Sequence, residues 1–164
     1  MACRRPHMPL RGRGDCSVSQ LVELTEDDCL NLLGSQSVGR IAVVREGHPL
    51  IFPVNYVLQN RTVAFRTDSG TKLDWASMGP VAFEIDMTDP MYHTGWSVMV
   101  QGTGRDITEG LDEWSEKVVS QTLTPWADGE KSHWVAIASP TFSGRRIIHD
   151  SESDPTPRDQ VSPA

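Results

Sequence analysis

Short β-forming runs closed by tight-turn residues recur along this chain, and that spacing restricts it to an antiparallel, hairpin-built architecture. Residues 81–86 show the pattern most cleanly. Val81, Phe83 and Ile85 share one face, and Glu84 and Asp86 take the other. Residues 38–44 form an earlier β-rich run, followed by a turn at Glu46-Gly47-His48-Pro49. Residues 50–58 form the next strand. Pro53 inside it requires an edge, a bulge or a bend, which leaves backbone groups free for a ligand. A hairpin turn at Gln59-Asn60 leads to a strand over 62–66. After a loop over 88–94, residues 95–107 predict a long strand whose glycines suit sharp curvature. Two further strands are expected at 133–138 and 145–149, joined by a loop over 139–144.

Helices are few. Thr25 is an N-cap followed by Glu26, Asp27 and Asp28, whose charges suit the first turn. Leu30, Leu32 and Leu33 supply the buried side, and Gly34 closes the helix. A short helical pattern covers 71–78, and a further one 109–122. The fold class is therefore mostly β with short helices: a small antiparallel barrel of six to seven strands. No GxGxxG motif is present, and the hairpin spacing does not fit a doubly wound nucleotide fold.

The 164 residues suffice for one domain, expected over 17–150, with disordered tails at 1–16 and 151–164. The net charge of -7 excludes a general nucleic-acid-binding body, because neutralising phosphates needs a basic face. Cys3, Cys16 and Cys29 are scattered and odd in number, which fits neither a disulfide framework nor a zinc site. Cys29 reads as a small apolar residue. The five histidines show no metal spacing. No run approaches a membrane span, so a cytoplasmic protein is expected.

Chemistry is concentrated at one corner. The run ending in Phe65-Arg66-Thr67 turns at Asp68-Ser69-Gly70 and restarts at Thr71-Lys72-Leu73. Two hydroxyls, an arginine and a lysine meet where a helix start would point its N–H groups outward, as an anion site requires. A capped turn with a solvated lysine is the other reading. Lys72 is one of three lysines against twelve arginines, which favours a purpose for it.

Taken in order, Gly39-Arg40-Ile41-Ala42-Val43, Pro53-Val54-Asn55-Tyr56, Phe65-Arg66-Thr67 with Gly70-Thr71-Lys72-Leu73, residues 81–86 and Gly95-Trp96-Ser97-Val98 resemble the pyridoxamine 5'-phosphate oxidase-like family. The likeness spans about residues 20 to 149 and is nearest the actinobacterial flavin-nucleotide-binding branch. It implies an FMN-binding split barrel and a homodimer with the flavin across its interface. Pro53, Val54, Asn55 and Tyr56 would run along the isoalloxazine ring. Arg66, Thr67, Thr71 and Lys72 would bind the ribityl phosphate. Trp96 and Ser97 would lie on the strand that reaches the flavin, and Arg145 or Arg146 would supply a cation.

Two departures qualify what the likeness implies. Thr71-Lys72 stands where the oxidase has Arg-Lys, a lost charge that Arg66 could restore. Leu58 stands where the oxidase has a lysine for the substrate's phosphate, which points to another small organic substrate. The expected function is a flavin-dependent oxidoreductase whose cofactor carries the redox chemistry. An F420-dependent reductase and a non-enzymatic flavin or heme binder are the alternatives. No nucleophile–base arrangement is evident. Three local choices stay open: Trp96 at the flavin or in the core, Tyr56 at the ring or in barrel packing, and Glu84 with Asp86 facing a partner or solvent. Arg40 reads as a salt-bridge residue. His93 is a candidate general acid, and His48 a turn residue or a heme ligand.

Overall fold

The computed structural model describes residues 19–68, 79–123, 126 and 131–149. Its elements are β1 (Ser19–Glu23), α1 (Glu26–Ser35), β2 (Val38–Arg45), β3 (His48–Gln59), β4 (Thr62–Thr67), β5 (Pro80–Asp89), β6 (Thr94–Asp106), α2 (Glu113–Val119) and β7 (His133–His149). All strand pairings are antiparallel, in the order β1-β7-β4-β3-β2-β5-β6, and a further β7–β6 pairing closes the sheet into a barrel.

The hairpin turns follow from local backbone chemistry. Glu46 (φ 49°) and Gly47 (φ 80°) join β2 to β3, and Asn60 (φ 48°) and Arg61 (φ 66°) join β3 to β4. Two successive left-handed residues match the twist of the strands they connect. The second turn sits one residue later than expected, because Gln59 already pairs with Thr62. The β5–β6 loop is also tighter than expected. Asp89 pairs with Thr94, and the Asp89 carboxylate accepts the N–H groups of Met91 and Tyr92.

β7 corrects the expectation of two strands with a loop between them. It runs unbroken for 17 residues. A register shift lets it bend: Gln101 pairs with Thr141, whereas Thr103 pairs with Ala138. The extra residue on β7 is a bulge, and Ser139 takes a left-handed φ of 49° there. Opposite it, a Cβ on Gly102 would lie 2.5 Å from the Ala138 carbonyl oxygen, so only glycine lets the strands close.

One edge of β7 lies on β6 from Val135 to Ile147, with the bulge between. The other edge is divided between β4, at residues 133–136, and β1, at residues 145–149. This division makes it a split barrel. β1 was not foreseen, since its five residues are mostly exposed and carry no alternation. α1 fills the gap. A capping box between Thr25 and Asp28 starts it, and Cys29 and Leu33 enter the core. The Tyr56 hydroxyl donates to the Leu33 carbonyl at 2.6 Å, tying the helix to β3.

Inward residues from six strands fill the barrel, with Phe65, Phe83, Ile41, Ile85, Val98 and Ile137 inaccessible or nearly so. A second cluster lies outside the barrel wall, where Ala64, Trp134 and Ala136 are covered by Ile107 and Val118. α2 is shorter than the expected 109–122. Gly110 is left-handed (φ 61°), and the Asp112–Ser115 capping box delays the start to Glu113. The expected helix over 71–78 lies outside the described residues.

Candidate functional site

Cross-strand register places one group of expected site residues together. Ser97 on β6 pairs with Asp86 on β5 and with Arg145 on β7, and Arg145 pairs in turn with Glu23 on β1. Ser97, Arg145 and Glu23 border a cleft of about 510 Å³, with Met99, Phe142 and Leu24 as its apolar walls and Glu84 also lining it. That volume lies within the usual range of about 300–1,000 Å³ for small-molecule sites. Ser97 and Arg145 are both exposed to it.

Charge on this face is ordered rather than scattered. The Arg40 guanidinium donates to Asp86 at 2.6 Å and to Glu84 at 3.1 Å. The Asp86 bond, then that to Glu84, raises the Arg40 pKa above its ordinary value. Glu84 and Asp86 thus find their cation within the chain, and Arg40 is the expected salt-bridge residue. Trp96 is half-buried against the barrel core and does not line the cleft. Its register partner is Arg146, one step along from Arg145.

A second group lies at the β3–β4 end. Tyr56 donates its N–H to Ser37, so by strand alternation the Pro53 nitrogen faces the opposite edge. Along that edge β4 pairs only with Tyr56–Gln59. Among the described residues no strand pairs with the earlier part of it, so Pro53 interrupts no ladder. The Asn55 amide donates to the Ser37 carbonyl and accepts the Trp126 N–H at 2.9 Å. Val54 and Tyr56 point into the core at 6% and 4% exposure, and burial raises the Tyr56 pKa. Of the two readings left open for Tyr56, its side chain takes barrel packing. Only the backbone of these two residues is left to meet a ligand.

The Arg66 expectation also changes. Its Nε donates to the Lys131 carbonyl at 2.6 Å and its Nη1 to the Leu123 carbonyl at 3.4 Å, with the guanidinium 5.9 Å from the Trp134 ring centre. Arg66 is a brace between β4 and the segments at 123 and 131, so it is poorly placed to replace a missing phosphate cation. Thr67 is buried at 1% exposure. Thr71 and Lys72 lie outside the described residues. Lys131, which sequence reasoning passed over, places its Nζ 2.6 Å from Asp68 Oδ2. Its being one of only three lysines was the available signal.

His48 is exposed at the start of β3, and His93 sits in the β5–β6 turn with φ 51°. Neither borders the cleft. No group of three potential metal ligands occurs among the described residues. Nor is any described helix long and apolar enough to cross a membrane.

The profile of the family described as "Pyridoxamine 5'-phosphate oxidase" matches residues 25–146. The chain belongs to this family. The uncharacterized protein Rv0080 of Mycobacterium tuberculosis is 32% identical over 145 residues, covering 84% of this chain and 92% of that protein. The structure of the FAD binding protein from Mycobacterium smegmatis is 35% identical, with a TM-score of 0.59, and covers 79% of this chain and 100% of its own. A conserved protein of unknown function, DIP1874, from Corynebacterium diphtheriae is 32% identical with a TM-score of 0.61, over 78% and 98% of the two chains. The matched stretch runs from α1 into β7 and contains both the Ser97–Arg145 pair and the β3–β4 residues described above.

Proposed function

We propose that this member of the pyridoxamine 5'-phosphate oxidase family binds a flavin nucleotide and acts as an oxidoreductase on a small organic molecule. The observation that carries the reading is the β6–β7 cleft, where the Arg145 guanidinium and the Ser97 hydroxyl face apolar walls at Met99 and Phe142. An isoalloxazine ring has one apolar edge and one polar edge, and the cleft matches that division. A guanidinium suits the polar edge, where electron density accumulates on reduction. Similarity to an FAD binding protein at 35% identity supports the flavin class. The corner motif favours FMN, whereas that relative favours FAD.

When bound, the flavin supplies the hydride or electron chemistry. The chain binds and orients it. Ser97 and Arg145 hold the polar edge, and Met99 and Phe142 keep water from one side of the ring.

None of Pro53, Asn55, Arg66 and Thr67 lines the cleft. A homodimer in which the β3–β4 end of one copy meets the β6–β7 cleft of the other joins the two groups into one site. Exposed Val44 (57%), Ile51 (65%) and Met99 (39%) support such a covered face. Flavin titration tests the assignment. Arg145→Ala should weaken binding by about tenfold or more, since a bond to a charged group is lost. Unchanged affinity would remove Arg145 from the site.

A further inference from the structure

We propose that the far end of β6 carries a second small-molecule site, built around His133 and suited to an organic ammonium ion with an apolar body. A cavity of about 380 Å³ opens there between the end of β6, the loop before α2 and the start of β7. Arg105, Asp106, Glu109, Leu111, Ser115 and His133 are among its lining residues, and it shares none with the flavin cleft. The proposal stands apart from the flavin reading.

His133 is the group that packing leaves unexplained. Its Nδ1 is enclosed and has no hydrogen-bonded partner among the described residues. Asp106 Oδ2 lies 3.8 Å from it, too far for a hydrogen bond. The carboxylate is fixed there by its other oxygen. Asp106 Oδ1 accepts the Thr108 N–H at 2.9 Å and the Thr108 hydroxyl at 2.5 Å. Thr108 Oγ1 in turn accepts the Trp134 N–H at 2.9 Å, one residue from His133. A fixed negative charge behind the ring favours the proton on Nδ1, which leaves the lone pair on Nε2. Nε2 is not enclosed, so that lone pair is available to the cavity.

The free polar atoms of the lining are then mostly acceptors. Among the described residues neither Asp106 Oδ2 nor the Glu109 carboxylate has a hydrogen-bonded partner. Both hydroxyl protons are committed, that of Thr108 to Asp106 and that of Ser115 to the Asp112 carbonyl at 2.9 Å. Nε2 therefore has no nucleophile to activate, and the site binds rather than reacts. Arg105 is the exception, but its charge acts on Asp112, which does not line the cavity. The Asp112 pKa is lowered first by its hydrogen bonds with Ser115 and further by Arg105. Such a lining calls for a ligand that only donates, as an ammonium does with its N–H groups. Asp106 and Glu109 supply the counter-charge, and Ile107 and Leu111 receive the apolar body. No group of three potential metal ligands occurs among the described residues, so an organic cation suits the cavity better than a metal ion.

Benzylamine is the probe, with benzyl alcohol and benzoate as its neutral and anionic counterparts. Each is titrated into the isotope-labelled full chain and followed by NMR. Benzylamine should shift the amide signals of residues 106–111 and 133 saturably, and the other two should not. Glu109→Gln, at an exposed carboxylate that no described contact uses, should weaken the amine about threefold. Asp106→Asn keeps an acceptor for Thr108 and should weaken it about tenfold, as should His133→Leu, which removes the lone pair. Equal shifts from the alcohol or the benzoate, or no saturable shift from the amine, would overturn the proposal. So would an amine affinity unchanged in all three variants.

Discussion

Arg66 and Arg145 show how differently two arginines of one barrel can be used. Arg66 donates to two backbone carbonyls and stacks near Trp134, so its fork fixes chain segments. Arg66→Ala should destabilise the protein by about 2 kcal/mol, from two lost charged hydrogen bonds partly replaced by water. Urea unfolding checks this, and a loss below about 0.5 kcal/mol would mean the brace is idle. Arg145 is exposed at the cleft, so Arg145→Ala should leave stability within about 0.5 kcal/mol. Gly102 makes a sharper case. Gly102→Ala sets a methyl 2.5 Å from the Ala138 carbonyl oxygen and 2.7 Å from Ile137. Backbone must shift at the bulge, at a cost of about 1–3 kcal/mol. A melting temperature equal to wild type would show that the bulge tolerates a side chain.

At the scale of elements, α1 is held at both ends of its first two turns. Thr25 and Asp28 cap it reciprocally, and Tyr56 reaches it from β3. Tyr56→Phe should cost about 1–3 kcal/mol, since the buried Leu33 carbonyl loses its donor. The hydrogen bonds from Thr25 lower the Asp28 pKa from its ordinary value of 3.8. A carboxyl held lower in the folded state adds stability above 3.8, and that stability disappears as pH falls through the folded value. Acid unfolding of Thr25→Ala should therefore be less steep with pH than that of wild type. An unchanged slope would assign acid sensitivity to other carboxylates.

The same scale explains what could be read from the chain. α1 and β2 through β6 were legible because capping residues, turn pairs and two-residue alternation are local signals. β7 was misread as two strands because a bulge at Ser139 looks like a loop when its partner strand is unknown. β1 was missed because its pairing partner lies more than a hundred residues away. Ser97 and Arg145 were expected at one site through the resemblance, and their adjacency on the sheet is a matter of register. That Arg66 braces backbone carbonyls could not be read from residue type, since a brace and an anion ligand use the same charge.

For the whole molecule, the proposed flavin site calls for two copies, because the β3–β4 residues do not line the β6–β7 cleft of their own chain. Light scattering during size exclusion should give twice the 18.2 kDa chain mass. A monomer that still binds flavin tightly would confine the site to one chain. The most direct measurement is the visible spectrum of freshly purified protein, followed by heat release and identification of the chromophore. The account predicts an oxidised-flavin spectrum that bleaches with dithionite and returns in air, with FMN or FAD released. A colourless protein that also takes up neither added FMN nor added FAD would contradict it.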